Sequence, residues 1–200
     1  MENEKPLNET DSLVLIASMI KKTQGTLQDN GFYFLLWGWL VFAASLGMYV
    51  LVKMGMPEIS EYTWAILMPL GGVISAIRGW KEGKKQRVKT YTEEMLNYAL
   101  IAFLAALAIV LIFMSMHGGW KYAYPMIMMV YGMWLFISGG ALKFKPLIIG
   151  GIINFCCAIG GFYVQSIEML LLLSFAVLAG YIIPGHMLNA KYNREVNESI

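Results

Sequence analysis

Charged residues are missing from six stretches of this chain: 30–52, 62–77, 95–120, 122–142, 146–167 and 169–190. A helix rises about 1.5 Å per residue, so about 20 apolar residues cross a ~30 Å hydrocarbon layer, with about 17–25 usable. Five stretches reach that length as they stand. The second reaches it when the Arg78 stem runs out to the headgroups, so that Trp80 closes the span. The sequence thus predicts an all-α polytopic membrane protein with six transmembrane helices over 32–52, 62–80, 95–116, 123–142, 146–164 and 168–187. Composition agrees: 58% of residues are hydrophobic and 14% charged, against roughly a quarter charged in a soluble domain. A water-soluble fold of this size has too little interior to hide so much apolar surface.

Backbone groups in hydrocarbon must bond within their own segment or in a closed barrel. Barrel strands alternate polar with apolar residues, and the run from Leu104 to Leu111 does not. Helices are therefore expected. Pro125 and Pro146 are read as helix starts, where a missing N–H costs nothing. Tyr33, Trp37, Tyr62, Trp64, Trp80, Trp120, Tyr122 and Tyr124 gather near the predicted interfaces.

Lys and Arg set the expected orientation. Residues 78–89 form the most basic stretch and should face the cytoplasm. Threading six spans from there puts 13 of the 15 Lys and Arg inside, all but Lys53 and Lys121. The whole lies in a single membrane domain, 32–187, between a cytoplasmic N-terminal segment, 1–31, and a cytoplasmic tail, 188–200. Met1-Glu2-Asn3-Glu4 is acidic where a signal peptide is basic. Residues 12–29 read as an amphipathic interfacial helix: Ser12 caps it, Leu13, Ile16, Ile20 and Leu27 share a face, and Lys21 and Lys22 meet headgroups. The competing reading is a soluble helix packed under the bundle. The expected partners are the bilayer, anionic lipid at 78–89, and a membrane protein or a second copy. A net charge of +2 gives no reason to expect nucleic acid.

The halves share three short matches in order. Trp37-Gly38 resembles Tyr131-Gly132, Gly71-Gly72 resembles Gly150-Gly151, and Glu94-Met95-Leu96 matches Glu168-Met169-Leu170. Three spans per half would make this an inverted 3+3 repeat of the kind transporters use. Chance similarity in apolar text is the stronger competing reading.

No catalytic, cofactor-binding or metal site is read from the sequence. His-Glu-x-x-His, Gly-x-Ser-x-Gly, Cys-x-x-Cys and phosphate-loop patterns are absent. His117 and His186 fall at opposite membrane faces, and no aspartate lies in a span. Adjacent Cys156 and Cys157 read as small hydrophobes. Asn154 lies near mid-membrane, with Ser45, Ser75, Ser138 and Ser174 scattered around; an interhelical hydrogen bond is the favoured reading of Asn154. The pairs Ala43/Gly47, Gly71/Ser75, Ala102/Ala106 and Ala176/Gly180 predict close helix contacts. Pro69 and Pro184-Gly185 predict weak points in the second and sixth helices. Met54, Met56, Met114, Met116, Met126, Met128 and Met129 gather toward the outer leaflet, near His117. Thioethers suit Cu(I), but Met-x-Met residues diverge by about 200° on a helix. Gap-filling is the favoured reading.

Residues 136–151, with Ser138-Gly139-Gly140 and Lys143-Phe144-Lys145-Pro146, and residues 181–189, with Pro184-Gly185-His186, resemble small bacterial six-helix inner-membrane proteins of uncharacterised activity. The resemblance implies a bacterial inner-membrane location and no activity or site. Lys143-Phe144-Lys145-Pro146 also reads as a tight turn between the fourth and fifth helices. The leading functional expectation is a non-enzymatic accessory or regulatory membrane protein, and the alternative is a small transporter or channel.

Overall fold

The computed structural model describes residues 31–85, 91–117, 120–164 and 166–197. The amphipathic segment 12–29 and the basic residues Arg87 and Lys89 lie outside them. The elements are α1 (Phe32–Lys53), the short α2 (Pro57–Ser60), α3 (Tyr62–Lys85), α4 (Tyr91–His117), α5 (Trp120–Ala141) and α6 (Lys145–Gly161). The sixth long helix follows in three parts: α7 (Met169–Val177), a π turn (Leu178–Ile182) and α8 (Ile183–Asn197). Among the described residues there is no strand. Among these residues four helical stretches are long and apolar enough to cross a membrane: Phe32–Lys53, Tyr91–Met116, Tyr122–Ala141 and Met169–Glu195.

Contacts at the helix ends group the ends of α1, α3, α5 and the sixth helix into two faces. At one end, the Tyr33 hydroxyl at the start of α1 donates to Glu82 near the end of α3 at 2.9 Å. Arg78 stacks 3.8 Å over Phe32. On the same face Lys191 of α8 lies 5.9 Å from the Phe144 ring, between α5 and α6. At the other end, Lys53 closes α1 and pairs with Glu168, which precedes α7, at 3.2 Å. There too the Tyr124 hydroxyl of α5 reaches the Met48 sulfur at 3.7 Å.

α5 and α6 form the most closely packed hairpin. Lys143 takes the left-handed conformation (φ 51°), the usual way to end a helix. The Phe144 N–H then donates back to Gly139 O at 2.8 Å, and Pro146 opens α6 where no N–H is needed. Glycines let the two helices touch: a Cβ on Gly132 would lie 2.8 Å from the Phe155 ring, and one on Gly151 would lie 2.9 Å from Gly132 O. α7 and α8 pack on α6 and carry α1, α3 packs on α1, and α4 packs on α5. Among the described residues the consecutive helices α3 and α4 do not pack extensively against one another.

Pro125 departs from expectation. α5 starts at Trp120, so this proline sits in the second turn, inside the helix and buried. Its ring fills the space beside Gly161, where a Cβ would lie 3.1 Å from Pro125 Cγ. That contact offsets the backbone bond a proline forfeits beyond the first turn. The glycines that carried the internal match also behave differently in the two halves. Gly71 lies against Trp37 and Leu40 of α1, and a Cβ on Gly72 would meet nothing within 4 Å. Gly150 instead meets Gly180 of the sixth helix, and Gly151 meets α5. Equivalent sequence thus has non-equivalent neighbours, and the 3+3 repeat gains no support there.

Candidate functional site

One polar place inside the bundle is where α6 crosses the sixth helix. Gly150 and Gly180 bring the two backbones together: a Cβ on Gly150 would lie 2.8 Å from Gly180 Cα and 2.9 Å from Gly180 O. Asn154, one turn along α6 and fully buried, points its amide into this crossing. Nδ2 donates to Gly150 O at 2.9 Å and across the interface to Ala176 O at 3.0 Å. The second bond is the interhelical bond expected of this residue. Oδ1 has no partner.

Immediately beyond Ala176 the sixth helix widens into the π turn, where the Ile183 N–H bonds to Leu178 O. Pro184 explains it. A proline offers no N–H to the carbonyl four residues back, here Gly180, and its ring crowds that carbonyl; a wider turn relieves both. The expected weak point in this helix is therefore a π turn followed directly by α8. Tyr181 lies within it and is buried, its ring 5.4 Å from Tyr131 and 6.2 Å from Phe34. Its hydroxyl has no partner. Among the described residues, the other buried side-chain atoms left without one are Trp64 Nε1 and Ser75 Oγ on α3.

A second polar contact ties α1 to α7. Ser45 and Ser174 meet hydroxyl to hydroxyl at 2.7 Å, and Ser174 also donates to Leu170 O. Ser138 bonds within its own helix, to Trp134 O. Among the described residues, and apart from the tyrosines, the fully or nearly fully buried polar side chains are Ser45, Ser60, Ser138, Asn154 and Ser174. These are hydroxyls and one amide, able to donate and accept hydrogen bonds but not to act as a general base near neutral pH.

Ionised groups collect at the two ends. At the α3 end Arg78 pairs with Glu82 at 2.7 Å, and Lys84 lies 4.1 Å over Trp80, itself 69% exposed. α3 runs on to Lys85, so Lys81 and Lys84 are carried on a helix. At the other end the Ser166 hydroxyl donates to the Glu168 carboxylate. With the Glu168 backbone N–H and Lys53, it holds that carboxyl down at about 2.

The remaining sequence candidates do not converge. His117 closes α4 while His186 lies in the first turn of α8, near the opposite end of the bundle. Cys156 is exposed and Cys157 buried. Met114 and Met128 point into the core, whereas Met54, Met56, Met116 and Met129 are exposed. Among the described residues no three His, Cys, Asp or Glu side chains group as metal ligands. Of the small-residue pairs, Ala176/Gly180 marks the crossing with α6, and Gly71 marks the contact with α1. Gly132 and Gly139, seven residues or two helical turns apart on one face of α5, both lie against α6, a spacing that the four-residue small-residue pairs do not include. Nothing in the sequence singled out Tyr181.

The class is that of an all-helical protein whose long apolar helices fit it for membrane insertion. No protein-family model, curated protein or solved structure matches the chain.

Proposed function

We propose that the chain crosses a bacterial inner membrane six times with both ends in the cytoplasm, and serves there as a non-enzymatic accessory or regulatory protein acting through partners. The observation that carries this reading is the use made of interior polarity. Asn154 bonds across to Ala176 O and Ser45 to Ser174, holding helices together, and Ser138 bonds within its own helix, while ionised groups stay at the ends. α3 and α6 complete the six spans. α3 does so by extending Arg78, and α6, at 17 residues or about 25 Å, by local bilayer thinning. The end bearing Arg78, Lys81, Lys84, Lys143, Lys145, Lys191 and Arg194 is the cytoplasmic one, by the excess of basic residues there. Lys84 stacked on exposed Trp80 suits it to anionic headgroups.

A transporter or channel is the second reading. It is favoured by the π turn and by the two unpartnered atoms beside it, since broken helices line solute paths in many carriers. Extraction of the tagged chain from native membranes in mild detergent separates the two. The accessory reading expects a stoichiometric partner of different sequence. Recovery of this chain alone, in a form that accelerates ion or solute leak from liposomes, overturns it in favour of transport. The six-span topology has its own test, after replacement of Cys156 and Cys157. Cysteines at Glu58 and Gln165 should react with an impermeant thiol reagent from outside, and those at Lys85 and Asn193 should not.

A further inference from the structure

Asn154 Oδ1 and the Tyr181 hydroxyl, both buried and both without a hydrogen-bond partner, meet at one short segment of the sixth helix: Asn154 lies against Gly180, and Tyr181 is the next residue. That segment is also the π turn Leu178–Ile182. Unpartnered buried polar atoms in a folded protein ask for a reason, and π turns recur where a helix has a task beyond packing. A π turn holds one residue more than an α turn. When it moves along a helix, each residue it passes turns by about 100° and advances by about 1.5 Å. We propose that this π turn is a two-position switch latched by Asn154, which swings Tyr181 between its place beside Phe34 and Tyr131 and a second orientation where its hydroxyl gains a partner.

The latch follows from the crossing with α6. Gly180 sits there because no side chain fits: a Cβ would collide with Asn154 Nδ2 and lie 2.9 Å from Leu135 Cδ1. Moving the turn by one residue brings a neighbour of Gly180 to the crossing, and Ala179 is the smaller of the two. Its methyl group cannot enter while Nδ2 holds Ala176 O. Asn154 must first release that carbonyl, which also frees its amide to turn and pair Oδ1. Pro184 stays fixed throughout and keeps an unbroken α-helix unfavourable, so the extra residue is retained in either position.

The movement has a direct outlet. A Cβ on Gly38 of α1 would lie 3.0 Å from both Tyr181 Cβ and Ile182 Cγ1, so α1 rests on the residues that turn. α1 in turn holds α3 through Arg78, Phe32, Tyr33 and Glu82. A ligand or partner that favours one position shifts the population by its differential affinity alone. The device is independent of whether the chain serves as a subunit or as a carrier.

The test places 3-fluorotyrosine at Tyr181 in the full chain in lipid nanodiscs and reads its fluorine spectrum. Two resonances are expected, with a ratio changed by about fivefold or more in Asn154→Ala, and a third spectrum in Pro184→Ala where the turn can close into α-helix. Fluorotyrosine at Tyr163, which is 83% exposed and outside the helices, reports on the general fold. Its signal should stay unchanged in both variants. A single Tyr181 resonance that Asn154→Ala leaves in place overturns the switch. So does a change that appears equally at Tyr163, which would mean general loosening.

Discussion

Gly180→Ala adds one methyl group at the tightest point of the bundle. Its Cβ would meet Asn154 Nδ2 head on, with Leu135 Cδ1 at 2.9 Å and Gly150 O at 3.3 Å. Leu135 can yield by rotating its side-chain tip, but the amide is fixed by its bonds to Gly150 O and Ala176 O. Relieving the clash means breaking them. Each such bond contributes about 1 kcal/mol net, and a buried amide left unpaired costs about 1–3 kcal/mol. Against this stands about 1 kcal/mol gained by replacing glycine with alanine in a helix. The expected net loss is about 2–4 kcal/mol. At about 2–4 °C per kcal/mol for a chain this long, the midpoint should fall by roughly 4–16 °C. Gly72→Ala is the matched control: the same methyl meets nothing within 4 Å, so the helix gain of about 1 kcal/mol should appear undiminished. Both variants are heated in detergent, and the folded fraction is read by size exclusion. If Gly180→Ala equals or exceeds Gly72→Ala in stability, the close-packed crossing is not what holds the sixth helix.

Lys143→Gly should stabilise the α5–α6 hairpin by about 0.5 kcal/mol, seen as a small rise in thermal midpoint, because φ 51° strains any side chain. Ser45→Ala and Ser174→Ala should each destabilise, and the double variant should lose less than their sum by about 1 kcal/mol, since one hydrogen bond joins them. A double-mutant cycle that adds without remainder would remove that link. Glu168 is held at about 2, below its ordinary 4.5. Its contribution is therefore complete above about pH 4.5 and fades as pH falls through about 2. Comparing thermal midpoints near pH 6 and near pH 3 should show a drop that Glu168→Gln reduces; an equal drop in both assigns the acid sensitivity elsewhere.

The helices themselves were legible in the residues. Runs free of charge place α1, α4, α5 and the sixth helix, with α1 and α3 starting at the expected Phe32 and Tyr62. This holds because apolar length and internal hydrogen bonding belong to the segment alone. Asn154 could be read as an interhelical donor for the same local reason: an amide in an apolar run needs a partner. Which partner was not legible. Ser45 finds Ser174 across 129 residues of sequence, and Gly150 finds Gly180 while its apparent counterpart Gly71 finds Trp37 and Leu40.

Between helices in lipid, burial does not sort the residues. Ile101 and Ile109 of α4 are more than 60% exposed while Leu135 and Leu147 are fully enclosed, yet all four are aliphatic side chains in uncharged runs. Lipid tails are as apolar as a core, so leaving one for the other gains little and leaves no amphipathic pattern to read. Shape decides instead, through glycines that admit a neighbouring backbone and hydroxyls or amides that meet a partner. Only the assembled helices show which glycines do so, and only there does Tyr181 emerge as a buried hydroxyl in a π turn. Length and charge, which each segment carries by itself, fixed the helices; complementarity between segments, which none carries alone, decided their arrangement.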